Sequence, residues 1–288
     1  MAQVLVLTVF LTLLSSGSPA PVDHSKEDHP HAQVSTSAVE DENSDILEKL
    51  LKINSHLGEK LTEGDIAQKD TSNLPDGVLS NAAQCALSTC RWPKDADGFV
   101  HVPFVIDRTF SKNNADFIRQ VMAEIEQVTC VRFEELNKRG VRQTDDYIIV
   151  TSETGCWSYV GRIGGQQKLS LQQSGCIYRQ IIQHEFFHAL GFFHEHTRSD
   201  RDNHVIIHYE NINPDYIHNF DLQNTNNLQT PYDFLSVMQY SNRAFSINGQ
   251  MTISAKDNPT LLFGGATAMS ENDVLRVNKL YSCTAYLP

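Results

Sequence analysis

Residues 184 to 194 read HEFFHALGFFH, spacing three imidazoles and a carboxylate as a catalytic zinc ion requires. On a helix, His184 and His188 are four residues apart and share one face, so one ring nitrogen of each can reach a single ion. Glu185 lies one position round, close enough to hold a water at that ion. Gly191 tolerates φ > 0, so it can end the helix and turn the chain to bring back His194 as a third ligand. Three protein ligands leave a fourth position for water, the pattern of a catalytic rather than a structural zinc. The competing reading is a buried helix with incidental histidines, since Phe186, Phe187, Leu190, Phe192 and Phe193 suit a core. Five fixed positions within this segment weigh against it, and the aromatics read better as an apolar wall around the site.

The chain continues from His194 as HEHTRSDRDNHVIIHYENI, with Glu195 directly after the third candidate ligand. Further on stands Ser236-Val237-Met238-Gln239-Tyr240. Together these segments resemble the astacin family of metzincin metalloproteases, in which the second segment is a Met-turn. The resemblance implies a secreted endopeptidase with one Zn2+ per chain, held by His184, His188 and His194, with Glu185 as general base and acid. It implies Met238 as an apolar floor beneath the metal and Tyr240 as the group that stabilises the oxyanion. The family usually has His where this chain has Gln239, which leaves the hydrogen bonding of the turn open. Arg198, Asp200, Arg201 and Asp202 read as structural ion pairs below the helix.

The N-terminus, MAQVLVLTVFLTLLSSGSPA, has a short apolar run and then small residues, so 1–20 reads as a secretory signal peptide. It is too short for a retained membrane anchor, and no later segment approaches the length of a span. The expected location is extracellular, with storage in secretory granules compatible with it. An even number of cysteines in a secreted chain implies disulfides: Cys85, Cys90, Cys130, Cys156, Cys176 and Cys283. Residue spacing alone leaves the pairing open. The resemblance implies Cys130 with Cys283, Cys156 with Cys176, and Cys85 with Cys90 in a small N-terminal loop, as in the six-cysteine fish type of the family.

The polar stretch 21–45 has the composition of a disordered tail, and its His24, His29 and His31 read as solvated rather than metal-binding. Asp45 can cap a short helix with Ile46, Leu47, Leu50, Leu51 and Ile53 on its apolar face. Then comes Leu61-Thr62-Glu63-Gly64-Asp65-Ile66. Astacin propeptides carry a Gly-Asp pair through the active-site cleft, and the resemblance makes Asp65 a zinc ligand in the zymogen only. An aromatic is common in the family where Thr62 stands, and an ordinary solvent-facing turn is the bland alternative. Asn73 to Gly77 makes an accessible linker, and activation is expected between Ser80 and Asn81. In the family the freed terminus, here Asn81, folds inward to pair through water with the residue matching Glu195. No Lys or Arg precedes Asn81, so self-cleavage is a live option. The expected organisation is signal peptide 1–20, propeptide 21–80 acting as the chain's own inhibitor, and catalytic domain 81–288.

That domain must supply elements to position the site. Phe99 to Asp107, Val131 to Phe133, Tyr147 to Thr151 and Lys168 to Leu171 read as strands, the last resembling the edge on which metzincins pair an extended substrate. Phe117, Ile118, Val121, Met122, Ile125 and Val128 predict a core-facing helix over 114–129. After the zinc helix the chain is loop-rich until Ser270, which caps a final helix through Leu280. The predicted fold is α+β, a two-lobed metzincin (zincin-like) catalytic domain with a mixed sheet, zinc helix and Met-turn. With five residues after Cys283, no accessory module is expected.

The net charge is −12, of which 13 acidic and 5 basic residues in 1–80 contribute −8. No basic run points to nucleic acid, so the expected partners are a protein or peptide substrate and the chain's own propeptide, on a monomer. Fish astacins of this type include egg-envelope hatching enzymes and nephrosin-like proteases of blood-forming tissue, and residue patterns do not choose between those roles. The alternative from another class is a catalytically silent zinc-binding extracellular protein, against which the retention of Glu185 argues.

Overall fold

Alternation of apolar residues builds the central layer. The computed structural model describes residues 46–58, 61–68, 90–136 and 146–287, all within one unit spanning 41–288. The expected signal peptide, the histidines of the tail, Asp45, the linker, the cleavage site at Asn81 and Cys85 lie outside the described residues. In strand β3 (Val100–Ile106) Val100, Val102 and Phe104 point into the core. It lies in parallel between β4 (Val131–Glu135) and β5 (Tyr147–Thr151), with β5 parallel to β7 (Gln166–Leu171). Strand β6 (Cys156–Ser158) returns antiparallel to β7.

The N-terminal segment completes this sheet. Helix α1 (Ile46–Asn54) is followed by β1 (Leu61–Thr62) and β2 (Ile66–Ala67), which pair with each other, and β2 adds in parallel to β6 through Ile66 and Ser158. The order is β1-β2-β6-β7-β5-β3-β4. This corrects the expected substrate edge. Lys168 to Leu171 lie in β7, paired on both sides, and the strand that would be free without the N-terminal segment is β6. Three residues are too few to show a period, so β6 carried no signal of its own.

Two helices pack beneath the sheet. Ser111 accepts from Asn114 N to cap α2 (Lys112–Val128), whose Ile118, Val121, Met122 and Ile125 are buried against α3 (Arg179–Ala189) and β4. The carbonyls at the C-terminal end of α3 find partners from distant parts of the chain: Trp92 Nε1 donates to Ala189 O (2.9 Å) and Tyr281 Oη to Leu190 O (2.9 Å). Past α3 the chain runs through short 3₁₀ turns and a two-stranded sheet of β8 (Val205–Ile207) and β9 (Ile253–Ala255). It ends in α4 (Glu271–Leu280), capped by a reciprocal Ser270–Asp273 box. Disulfides join Cys130 to Cys283 and Cys156 to Cys176, and Cys90 is also disulfide-bonded.

Helix α1 sits on a surface relieved of side chains. A Cβ on Gly155 would lie 2.6 Å from Asn54 Oδ1 and 2.7 Å from a Leu57 methyl carbon. One on Gly175 would lie 2.6 Å from Ile53. Asn54 is buried there and bridges both partners, donating to Gly64 O (2.9 Å) and Cys156 O (2.6 Å) and accepting from Cys156 N (2.8 Å). Asn54→Ala strands buried backbone groups of β6 and is expected to lower stability by about 1–3 kcal/mol. A urea midpoint equal to that of the wild-type chain would show that Asn54 does not anchor α1.

Candidate metal centre and active site

The zinc-motif helix behaves as its spacing predicts. His184 and His188 lie in the last turns of α3, all buried, and the helix ends at Leu190. Gly191 follows with φ 108°, its N–H donating to His188 O (2.8 Å), and the chain turns back to bring in His194. The Nε2 atoms of His188 and His194 come within 3.0 and 3.3 Å of His184 Nε2. Asp65, from the turn between β1 and β2, joins them: Oδ2 is 3.0 Å from His184 Nε2 and 3.2 Å from His194 Nε2, and Oδ1 is 3.4 Å from His188 Nε2.

The tautomers follow from the outer partners. His184 Nδ1 faces Val237 O (2.8 Å) and His188 Nδ1 faces Phe192 O (2.7 Å), carbonyls that only accept. His194 Nδ1 faces the Glu63 carboxylate (2.7 Å). Each Nδ1 therefore carries the proton, and in a neutral ring the Nε2 lone pair points at the common centre. Three such lone pairs and a carboxylate, with ligand atoms all within 4.8 Å of one another, suit a cation among them. Nitrogens about 3.3 Å apart are what tetrahedral Zn–N bonds of about 2.0–2.1 Å produce, so the residues fit zinc.

The electrostatics are those of a desolvated charge cluster. Burial opposes ionisation of Asp65, but His194, His188 and His184 outweigh it and hold its carboxyl well below the usual range. Burial pushes His188 down to about 4. His194 is driven down by burial, yet Asp65 and Glu63 bring it to about 9. Glu185 is fully buried, and among the described residues neither of its carboxylate oxygens has a hydrogen-bond partner. Burial, and then the charge of Asp65, push its pKa well up. A buried carboxyl without partners is costly, and a group in that state beside a metal cluster is a candidate for proton transfer.

The Met-turn is pinned from α4. Ser236 Oγ donates to Asp273 Oδ1 (2.6 Å) and Val237 N to Asp273 Oδ2 (2.8 Å), which sets the carbonyl that holds His184. Met238 is buried, and its carbonyl accepts from Glu195 N (2.9 Å). Gln239 accepts from Tyr232 Oη (2.6 Å) and donates to Tyr240 O (2.9 Å), so a neutral side chain satisfies the turn. Tyr240 is buried, with its ring stacked on His196 (centroids 3.9 Å apart) and its hydroxyl donating to the main-chain carbonyl of Glu63.

Glu195 occupies a separate buried position. It takes a two-pronged hydrogen bond from Arg276 (2.7 and 2.8 Å), with further bonds from Asp233 N (2.7 Å) and Arg198 (3.3 Å). A cavity of about 270 Å³ opens beside it, lined in part by Arg91, Phe193, Asn226 and Arg276. Arg198 also pairs with Asp200, and Arg201 with Asp202.

The structure thus brings together Asp65, His184, Glu185, His188, His194 and Tyr240. Sequence reasoning did not single out Glu63, His196, Asp273 or Arg276. Glu63 and His196 at least adjoin motif residues; Asp273 had only a capping signal, and Arg276 had none.

The model of the astacin family, a family of peptidases, matches residues 88–282. The low choriolytic enzyme of Oryzias latipes is 38% identical over 285 residues, covering 98% of this chain and 99% of that protein. High choriolytic enzyme 1 of the same fish is 43% identical over 242 residues, 83% and 84% of the two chains. The solved structure of the latter, a hatching enzyme zinc-protease, superposes with a TM-score of 0.65 at 45% identity, covering 68% of this chain and 96% of that one.

A β-branched residue at the φ of Gly191 is strained by about 1–3 kcal/mol. Gly191→Val is therefore expected to purify with clearly less than one zinc per chain. Full zinc content by atomic absorption would show that this turn does not position His194.

Proposed function

The chain belongs to the astacin family and is a zinc metalloendopeptidase, and from that premise we propose that the form described is its latent zymogen, with 21–80 the inhibitory propeptide and 81–288 the catalytic domain. The observation that carries this reading is the Asp65 carboxylate lying among the three Nε2 atoms that would hold zinc. Its neighbour Glu63 offers a peptide carbonyl to Tyr240, a hydroxyl suited to a substrate carbonyl.

Zinc, when bound by His184, His188 and His194, supplies Lewis acidity toward water and a peptide carbonyl. The chain's own groups do the rest. Glu185 takes the proton of the attacking water and later delivers it to the leaving amine, a role suited to a carboxyl whose pKa is raised by burial. Once Asp65 leaves, the negative charge facing Glu185 goes with it. Tyr240 donates its O–H to the oxygen that becomes negative as the carbonyl is attacked. Strand β6, vacated by β2, offers free backbone groups to an extended substrate.

Activation cuts between Ser80 and Asn81. The new terminus enters the cavity beside Glu195, whose carboxylate is already held in place by Arg276. A leader at 1–20 and the disulfides suit secretion of a monomer into an oxidising space. No described helix is long and apolar enough to cross a membrane. Its choriolytic relatives make egg-envelope protein the first natural substrate to test, ahead of targets in blood-forming tissue.

The full-length protein, its Asp65→Ala variant and the activated enzyme should be compared on casein. Asp65→Ala is expected to cleave without prior activation, whereas wild type does so only after release of 21–80. In the activated enzyme Glu185→Ala should lower kcat/KM by about 10²–10⁴-fold, and a chelator should abolish activity. Equal activity of Glu185→Ala and wild type would remove the mechanism. A zinc-loaded, activated protein inactive on every substrate would favour a silent zinc-binding protein.

A further inference from the structure

The three candidate ligands are not oriented by the same part of the chain. His184 and His188 direct their Nδ1 protons to Val237 O and Phe192 O, main-chain atoms of the catalytic domain. His194 directs its own to Glu63 Oε2, on the N-terminal segment. Glu63 is almost fully buried there: Oε1 accepts from Gln223 Nε2 (2.8 Å), and Thr197 Oγ1 lies 3.4 Å from Oε2. Its backbone takes φ 49°, left-handed and uncommon for a residue with a side chain, just before Gly64 at φ 76°. An imidazole that donates to a carboxylate is a stronger metal donor with a fixed ring orientation, and losing such an outer partner costs about 10–100-fold in metal affinity.

We propose that Glu63 is a positioning residue for the third zinc ligand, so that the pro form retains its metal more firmly than Asp65 alone would achieve. Asp65 contributes a ligand atom; Glu63 contributes orientation and negative charge one bond further out, through His194. Removal of the N-terminal segment withdraws both at once. His184 and His188 keep their outer partners and His194 does not, so activation leaves one ligand in three less firmly directed. The inference rests on the reading of 21–80 as an inhibitory propeptide.

Zinc release from the full-length protein can be followed by mixing it with excess chromogenic chelator. Glu63→Ala is expected to release zinc about 10-fold faster than wild type. The near-isosteric Glu63→Gln, which keeps an acceptor but loses the charge, should fall between them. It also stands in if Glu63→Ala fails to give a native near-ultraviolet circular dichroism spectrum. Adding Glu63→Gln to Asp65→Asn should accelerate release beyond Asp65→Asn alone. Wild-type release rates in folded Glu63 variants would overturn the proposal. The zymogen reading fails separately: an Asp65→Asn chain no more active on casein than uncleaved wild type would remove it, whatever the release rates.

Discussion

Imidazole lone pairs crowded to about 3 Å repel one another unless a cation lies between them, and the rest of this structure is arranged around that constraint. The rings face inward because each outer nitrogen is tied. The ties come from well-separated stretches: Val237 in the Met-turn, Phe192 after the helix, and Glu63 far upstream. Those stretches are tied in turn, the Met-turn by Asp273 and the end of the zinc helix by Trp92 and Tyr281. Each hydrogen bond adds only about 0.5–1.5 kcal/mol net. The protein's hydrogen bonds therefore act chiefly by choosing the orientation of each ring.

The N-terminal segment is held by the same forces as the sheet it joins. It adds a strand to the sheet at Ile66 and Ser158, buries Leu50, Leu51 and Ile66, and satisfies the polar groups of β6 through Asn54. The same segment brings Asp65 to the histidines. Apolar burial and the Asp65 carboxylate thus act on one segment, the first along the sheet and the second at the candidate metal centre.

Helical spacing made His184 and His188 readable from the amino-acid string, and a single glycine explained the return of His194. The long amphipathic helix and the Ser270 cap were equally legible, because periodicity and capping are local properties. What escaped was set by distant partners. Cys156–Ser158 is a strand only because β7 and β2 flank it, so Lys168 to Leu171 read as an edge although β7 is paired on both sides. Glu195 looked like a group waiting for an amino terminus, and its Arg276 partner comes from 81 positions away. Gln239 looked like a loss from the turn until Tyr232 supplied its hydrogen bond.

Gly155 and Gly175 lie far along the chain from α1, yet their missing side chains accommodate it. Neither is among the residues gathered at the candidate metal centre. An added Cβ at either position would press on side-chain ends of α1 and the residues just after it, so the seat of α1 is set partly by residues far along the chain.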